Sequence, residues 1–271
     1  ADAFRVAIAR VLVAQLAQVG IDVELRILAV MLLVATVINT TGEYVIGKMA
    51  SEQSKIYAEE QVDKTDPTAP SAVPKAEVKP KTEAPADAKA GPKADARSAQ
   101  IKAAQDEYIS KFYSDYYTIV NLLSMLLQAF VVSRLLQKFG VRRSLFIMPV
   151  VVVVGWAAAF ASATVVMMRI EKTAENSLDY SLHNTLRQAM FLPTSRESKY
   201  KAKAAIDTFF FRMGDVIAGL GLVFLFVEVL GLSVRAFAIM NICLGAVWLL
   251  LAYRAGRLHD KLVAEHGETT T

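Results

Sequence analysis

Cysteine is close to missing from this sequence. Cys243 is the single one in 271 residues and lies inside an apolar window, so neither a disulfide framework nor a cysteine-based metal site can be built. Histidine is nearly as scarce: His259 and His266 fall in the polar C-terminal stretch and His183 stands alone. With no second His or Cys at ligand spacing, no metal and no other cofactor is expected. The motifs of soluble catalysis are also missing, with no GxxxxGK[ST] loop, no GxSxG elbow, no HExxH and no paired CxxC. An enzymatic role is not expected. Proline is absent from most of the chain, because six of its eight prolines fall between Asp63 and Arg97.

Charge is absent over long windows, and those windows define the molecule. Of the residues, 54% are hydrophobic and 21% charged, and the mean hydropathy is +0.36. The uncharged windows are Ile27–Gly42, Tyr116–Ser133, Leu145–Met168, Val216–Val227 and Ala236–Tyr253. A bilayer core of ~30 Å takes roughly 20 apolar residues per helix, so about six spans fit. The expected fold is an all-α polytopic membrane protein embedded in a lipid bilayer, with transmembrane helices over 26–48, 114–136, 143–168, 175–193, 206–230 and 233–254. The net charge of +4 does not point to nucleic acid, since Lys and Arg sit in short clusters between the windows. The short loops 134–143, 196–203 and 254–261 are the basic ones, which places them in the cytoplasm together with both termini.

Outside the spans, residues 1–25 have apolar positions at three- and four-residue steps interrupted by Arg5 and Arg10, which suits an interfacial amphipathic helix or an interdomain linker. The chain starts at Ala1 with no signal peptide pattern and reads as a piece of something longer. Residues 50–105 hold a Pro/Ala/Lys/Glu-rich stretch with too little apolar surface to offset its ordering entropy, so a disordered extracytoplasmic insertion is expected there. Five spans follow over 106–256, and 257–271 forms a cytoplasmic tail.

An ionisable group at membrane depth costs at least ~2.5–3.5 kcal/mol, which makes each one a functional candidate. Asp179, His183 and Arg187 stand at i, i+4 and i+8 and share one helix face, with Tyr180 and Asn184 beside them. They either line a wet cavity or form a structural network at headgroup level. Arg212 and Asp215, at i and i+3, either pair with each other or face the pathway. Glu43 is the sharpest single candidate. It follows Asn39, Thr40, Thr41 and Gly42, where a glycine can loosen a helix and polar side chains can replace freed hydrogen bonds.

Three patches carry a resemblance to a known family. They are SLDYSLHNTLRQAMFLPTSRESKYKAKAAIDTFFFRMGDVIAGL at 177–220, NTTGEYVIGK at 39–48 and SRLLQKFGVRR at 133–143. Together they resemble the ATP/ADP carriers, the nucleotide transporters of bacteria and plastids related to the major facilitator superfamily. The resemblance implies a twelve-span carrier in two six-helix halves, working by alternating access around a midplane site. This chain is similar to the C-terminal half, in a bacterial inner membrane, and its partner is the missing N-terminal six-helix half, in the same chain or a second copy. A nucleotide or other organic anion is the implied substrate. Glu43 and Asn39 are expected to serve in coupling or substrate contact, Arg187, on the polar face of the least hydrophobic span, to offer the substrate a positive charge, and Tyr180 and Asn184 to line the pathway. Where ATP/ADP exchangers are expected to carry bases, this sequence has Asp179 and Asp215. Those acids suit two alternatives, a cation-coupled solute without phosphate and a non-transporting membrane anchor or regulatory module of the same fold.

Overall fold

Apolar windows in lipid can satisfy their backbone groups internally only as helices or closed barrels. The computed structural model of the chain describes residues 23–65, 92–192, 206–225 and 233–268, with Tyr200, Lys203 and Gly231 between them, and among these residues there is no strand. The helices are α1 (Val23–Thr65), α2 (Pro92–Leu126), α3 (Ser133–Ser144), α4 (Ile147–Ala161), α5 (Val165–Leu178), α6 (Asn184–Met190), α7 (Phe211–Val216) and α8 (Val234–Glu268). Four π-helical turns join or precede them, at Leu127–Val132, Asp179–His183, Ile206–Phe210 and Ile217–Val223.

Three stretches are long and apolar enough to cross a membrane: Arg26–Lys64, Ala96–Ser144 and Val234–Ala264. These mark an integral membrane protein. The first is mostly buried by protein, whereas the other two turn most of their apolar windows outward. Leu122, Met125, Phe130 and Leu250 are exposed on them, as expected of side chains that face lipid and not a core. Helix α4 is equally apolar but has only 15 residues, about 22 Å of helix against a ~30 Å core.

The described residues divide into two compact units, 23–46 with those from 118 onward, and 47–117. In the first, α8 packs along α4, and α4 packs on α5. Gly140, at φ 71°, breaks the helix in α3 with a backbone conformation that side-chain-bearing residues rarely adopt. Just beyond it Arg142 pairs with Asp260 of α8 at 3.0 Å. The basic stretches 134–143 and 254–261 therefore meet at one end of the unit. In the second unit the polar continuation of α1 and the first turns of α2 form a helix pair. Ala58, Val62 and Phe112 are buried there, Tyr57 stacks near Tyr108 at 5.1 Å, and Arg97 bonds Asp63 at 2.6 Å.

The structure redraws several expected boundaries. Both flanks of the 50–105 stretch are helical, to Thr65 and from Pro92, because Ala58, Val62 and Phe112 provide an apolar seam that composition averaging hides. The expectation of disorder between them falls on residues 66–91, outside the described residues, as does the expected N-terminal segment apart from the start of α1 and the outer end of the 206–230 span. The anticipated span 143–168 breaks at Ser162–Thr164, and the anticipated loop 169–175 is the middle of α5. Thr164 caps that helix by accepting the Met167 N–H at 3.2 Å.

Candidate functional site

The site grows from the polar face of α1. Thr36, Asn39, Thr40 and Glu43 recur at three- and four-residue steps along a stretch of α1 whose other side chains, from Leu28 to Ala50, are mostly core. One edge of this stripe meets α7: Gly214 lies against Thr36, and the Thr40 hydroxyl donates to Asp215 Oδ1 at 2.9 Å. The other edge meets α5. Asn176 Nδ2 donates to Glu43 Oε1 at 2.7 Å, and Lys172 Nζ donates to Asn39 Oδ1 at 2.7 Å and to the Asn39 carbonyl at 3.3 Å.

Lys172 is fully buried. It also donates to Glu175 Oε2 at 3.0 Å, one turn along the same helix, and Glu43 lies 3.9 Å from the ammonium. An ammonium has donors only, and here they meet acceptors on both helices. Burying such a charge is costly unless it is paired and hydrogen-bonded, and here it is both. The chain makes room for it at Gly42, where a Cβ would stand 2.9 Å from Lys172 Cδ. The lysine stem therefore runs directly over the α1 backbone.

One turn beyond Asn176 the helix widens. At Asp179–His183 the bonding is π-helical, which takes one more residue per turn and is often found at functional sites. Asp179, Tyr180, His183, Asn184 and Arg187 line a cavity of about 300 Å³ around this turn. Arg187 Nη2 donates to Asn184 Oδ1 at 3.0 Å, which aims the guanidinium along the cavity wall. His183 is buried and meets Trp248 of α8 edge to face at 5.5 Å, and its Nε2 has no hydrogen-bond partner. The cavity thus offers one base, one acid, a phenol, an amide and an imidazole. These can hydrogen-bond and orient a polar solute, and they contain no nucleophile–base pair. Among the described residues no group of His, Cys, Asp and Glu could hold a metal ion.

Residues 158–257 match the TLC ATP/ADP transporter family. The TLC-matched stretch is a little over a third of the chain and runs from the end of α4 into α8. It contains the buried lysine, the π-turn and the cavity, whereas Glu43 and Asn39 stand outside it. No curated protein and no solved structure matches the chain.

Seven of the nine residues singled out in the sequence fall into these two places. Asp179, Tyr180, His183, Asn184 and Arg187 share the cavity wall, and Glu43 and Asn39 share Lys172. The remaining two separate: Asp215 accepts from Thr40, and Arg212 is exposed with no ion pair to it. Sequence reasoning missed Glu171, Lys172, Glu175 and Asn176, because RIEKTAE looks like a polar loop. The signal was present, since no Gly or Pro occurs from Trp156 to Leu192 to end a helix there.

Proposed function

We propose that this protein is a secondary transporter for a nucleotide or a related organic anion, working by alternating access in a bacterial inner membrane. The observation that carries this reading is a coincidence of place: the residues that match the ATP/ADP transporters also hold the cavity, its arginine and the π-turn. In this reading Arg187 offers the substrate a charge-assisted hydrogen bond, and Tyr180 and Asn184 line its path. His183 and Asp179 set the polarity of the wall, and Asn39 and Glu43 connect that wall to the α1 stripe. Asp215 and Arg212 lie on the second helix bordering the stripe, where Asp215 accepts from Thr40 and both are exposed.

A cavity of about 300 Å³ is at the lower limit for a drug-sized ligand. It accommodates part of a nucleotide. We read the chain as one six-helix half of a major-facilitator-type carrier, in which an N-terminal half, from the same chain or a second copy, completes the site. Both termini are cytoplasmic in this arrangement. Asp179 opposes Arg187 inside the cavity, so the wall is neutral overall where a polyphosphate calls for several bases. That balance favours a second reading, a cation-coupled solute without phosphate.

The test is uptake of labelled ATP, ADP and phosphate into proteoliposomes holding the whole protein that contains this chain, with and without counter-substrate inside. Counter-substrate-stimulated ATP or ADP uptake is expected. Folded protein that exchanges none of the three overturns the nucleotide reading in favour of a solute without phosphate.

A further inference from the structure

Three carboxyl groups surround Lys172, and they are not equivalent. Glu175 is hydrogen-bonded to the ammonium. Glu43 is 30% exposed along its side chain and accepts from Asn176. Glu171 has neither advantage: it is 4% exposed, no N–H or O–H donor reaches its oxygens, and the group within hydrogen-bond reach is the carboxyl of Glu175, which can bond it only when one of the two is protonated. The neighbouring Lys172 ammonium bonds Asn39 and Glu175, and no bond from it reaches a Glu171 oxygen. On its other side Glu171 packs against α4 at Gly155, where a Cβ would stand 2.6 Å from Glu171 Cγ. Helix α4 carries no ionisable residue at all. The charged groups facing Glu171 are therefore Glu175 and Lys172 of its own helix and Glu43 of α1, two acids against one base already shared.

A naked carboxylate in such a place pays full desolvation with no compensating donor. A protonated carboxyl does not, because the charge is gone. A metal or alkali cation is not an alternative occupant, since the site offers a single unshared carboxyl beside a buried ammonium.

We propose that Glu171 is a proton-binding site, loaded while α5 is docked on α1, and that this proton is the ion whose binding and release the protein links to solute movement. The second half of the proposal rests on the transport reading above. Loading adds one proton from water to a Glu171 oxygen and removes one negative charge from the cluster. Unloading returns the proton to water and leaves a second buried carboxylate competing with Glu175 for Lys172. That competition loosens the Lys172 contacts to Asn39, which together with the Asn176–Glu43 bond fasten α5 to the α1 stripe. Glu43, the part-exposed member, is where the cluster meets its surroundings.

Infrared difference spectroscopy on the whole protein, between acidic and alkaline buffer, tests the site without any substrate. The carbonyl stretch of a protonated carboxylic acid is expected at neutral pH, shifted in heavy water, lost in Glu171→Gln and retained in Glu175→Gln. No such band in the unaltered protein, or a band that survives Glu171→Gln, overturns the site. Glu171→Asp keeps an acid and provides a second variant if the amide does not fold. Linkage is read from labelled ATP uptake under an imposed gradient of one pH unit, which supports up to about tenfold accumulation per coupled proton. Stimulation in the unaltered protein that disappears in Glu171→Gln supports linkage, and active exchange indifferent to the gradient overturns it. An infrared band in a protein that exchanges no nucleotide upholds the site and fells the transport reading alone.

Discussion

Lys172 has no exposed surface, and Glu175 beside it is 2% exposed along its side chain, so deleting the cation strands an acid in the protein interior. Lys172→Met is expected to cost about 3–5 kcal/mol, read as a fall in the unfolding midpoint in detergent. Adding Glu175→Leu should recover most of that loss, since two apolar groups replace an ion pair at little net cost. Gly42→Ala reports on the same lysine by sterics. Its Cβ falls 2.9 Å from Lys172 Cδ, and the overpacking is expected to cost about 1–3 kcal/mol without changing any charge. In the cavity the two charges should act in opposite directions on an anion. Arg187→Gln removes a charge-assisted hydrogen bond, and a loss of about 1.5–3 kcal/mol corresponds to tenfold or greater weakening of apparent ATP affinity in uptake kinetics. Asp179→Asn removes a like charge and should strengthen it. Unchanged kinetics in Arg187→Gln would remove that residue from the substrate path.

At the scale of the element, the continuous run of α5, its π-turn and α6 organises the site. Along it Lys172, Asn176, Tyr180, His183 and Arg187 follow one another at three- and four-residue steps, with the π-turn adjusting the direction of the last of them. Deleting Ser181 removes the extra residue that the π-turn accommodates, so it should restore ordinary α-helical bonding while Arg187 keeps facing the cavity, the widened turn having absorbed that residue's rotation of about 100°. The expected result is a folded protein that retains uptake, and loss of uptake with the fold intact would give the π-turn itself a role. The break before α5 is a second handle. In a Cys243→Ser background, a cysteine at Ala163 should react quickly with a membrane-impermeant thiol reagent, whereas one at buried Ser177 should not. The reverse would contradict the break at Ser162–Thr164 and the burial of this face of α5. That loop was the main misreading of the sequence, and its origin is physical: charged residues normally mark the end of a span, but Lys172 and its carboxylates are buried against one another, which no one-dimensional hydropathy pattern records. The cavity wall was legible because its five residues share a single helix face, a relation fixed by spacing alone. The ties of Asn39 to Lys172 and of Thr40 to Asp215 were not, since each joins residues more than a hundred positions apart.

Over the whole molecule, the uncharged windows already specified helices in a membrane, and the described residues contain three stretches with the length and composition to cross one. The basic ends at 134–143 and 254–261 meet through Arg142 and Asp260, so reporters fused after Ser144 and after Glu268 should localise to the same side of the membrane. Opposite localisation would contradict the packing of α3 on α8. The remaining question is whether a solute occupies the cavity that the TLC-matched stretch encloses. The most direct measurement is protection of Asn184→Cys, in the Cys243→Ser background, from a thiol reagent by ATP or ADP, with Ala163→Cys as the control outside the cavity. Nucleotide that slows labelling at 184 and leaves 163 unchanged is the predicted result. Equal labelling at 184 with and without saturating nucleotide, in protein that actively exchanges ATP for ADP, would contradict it by placing the substrate elsewhere.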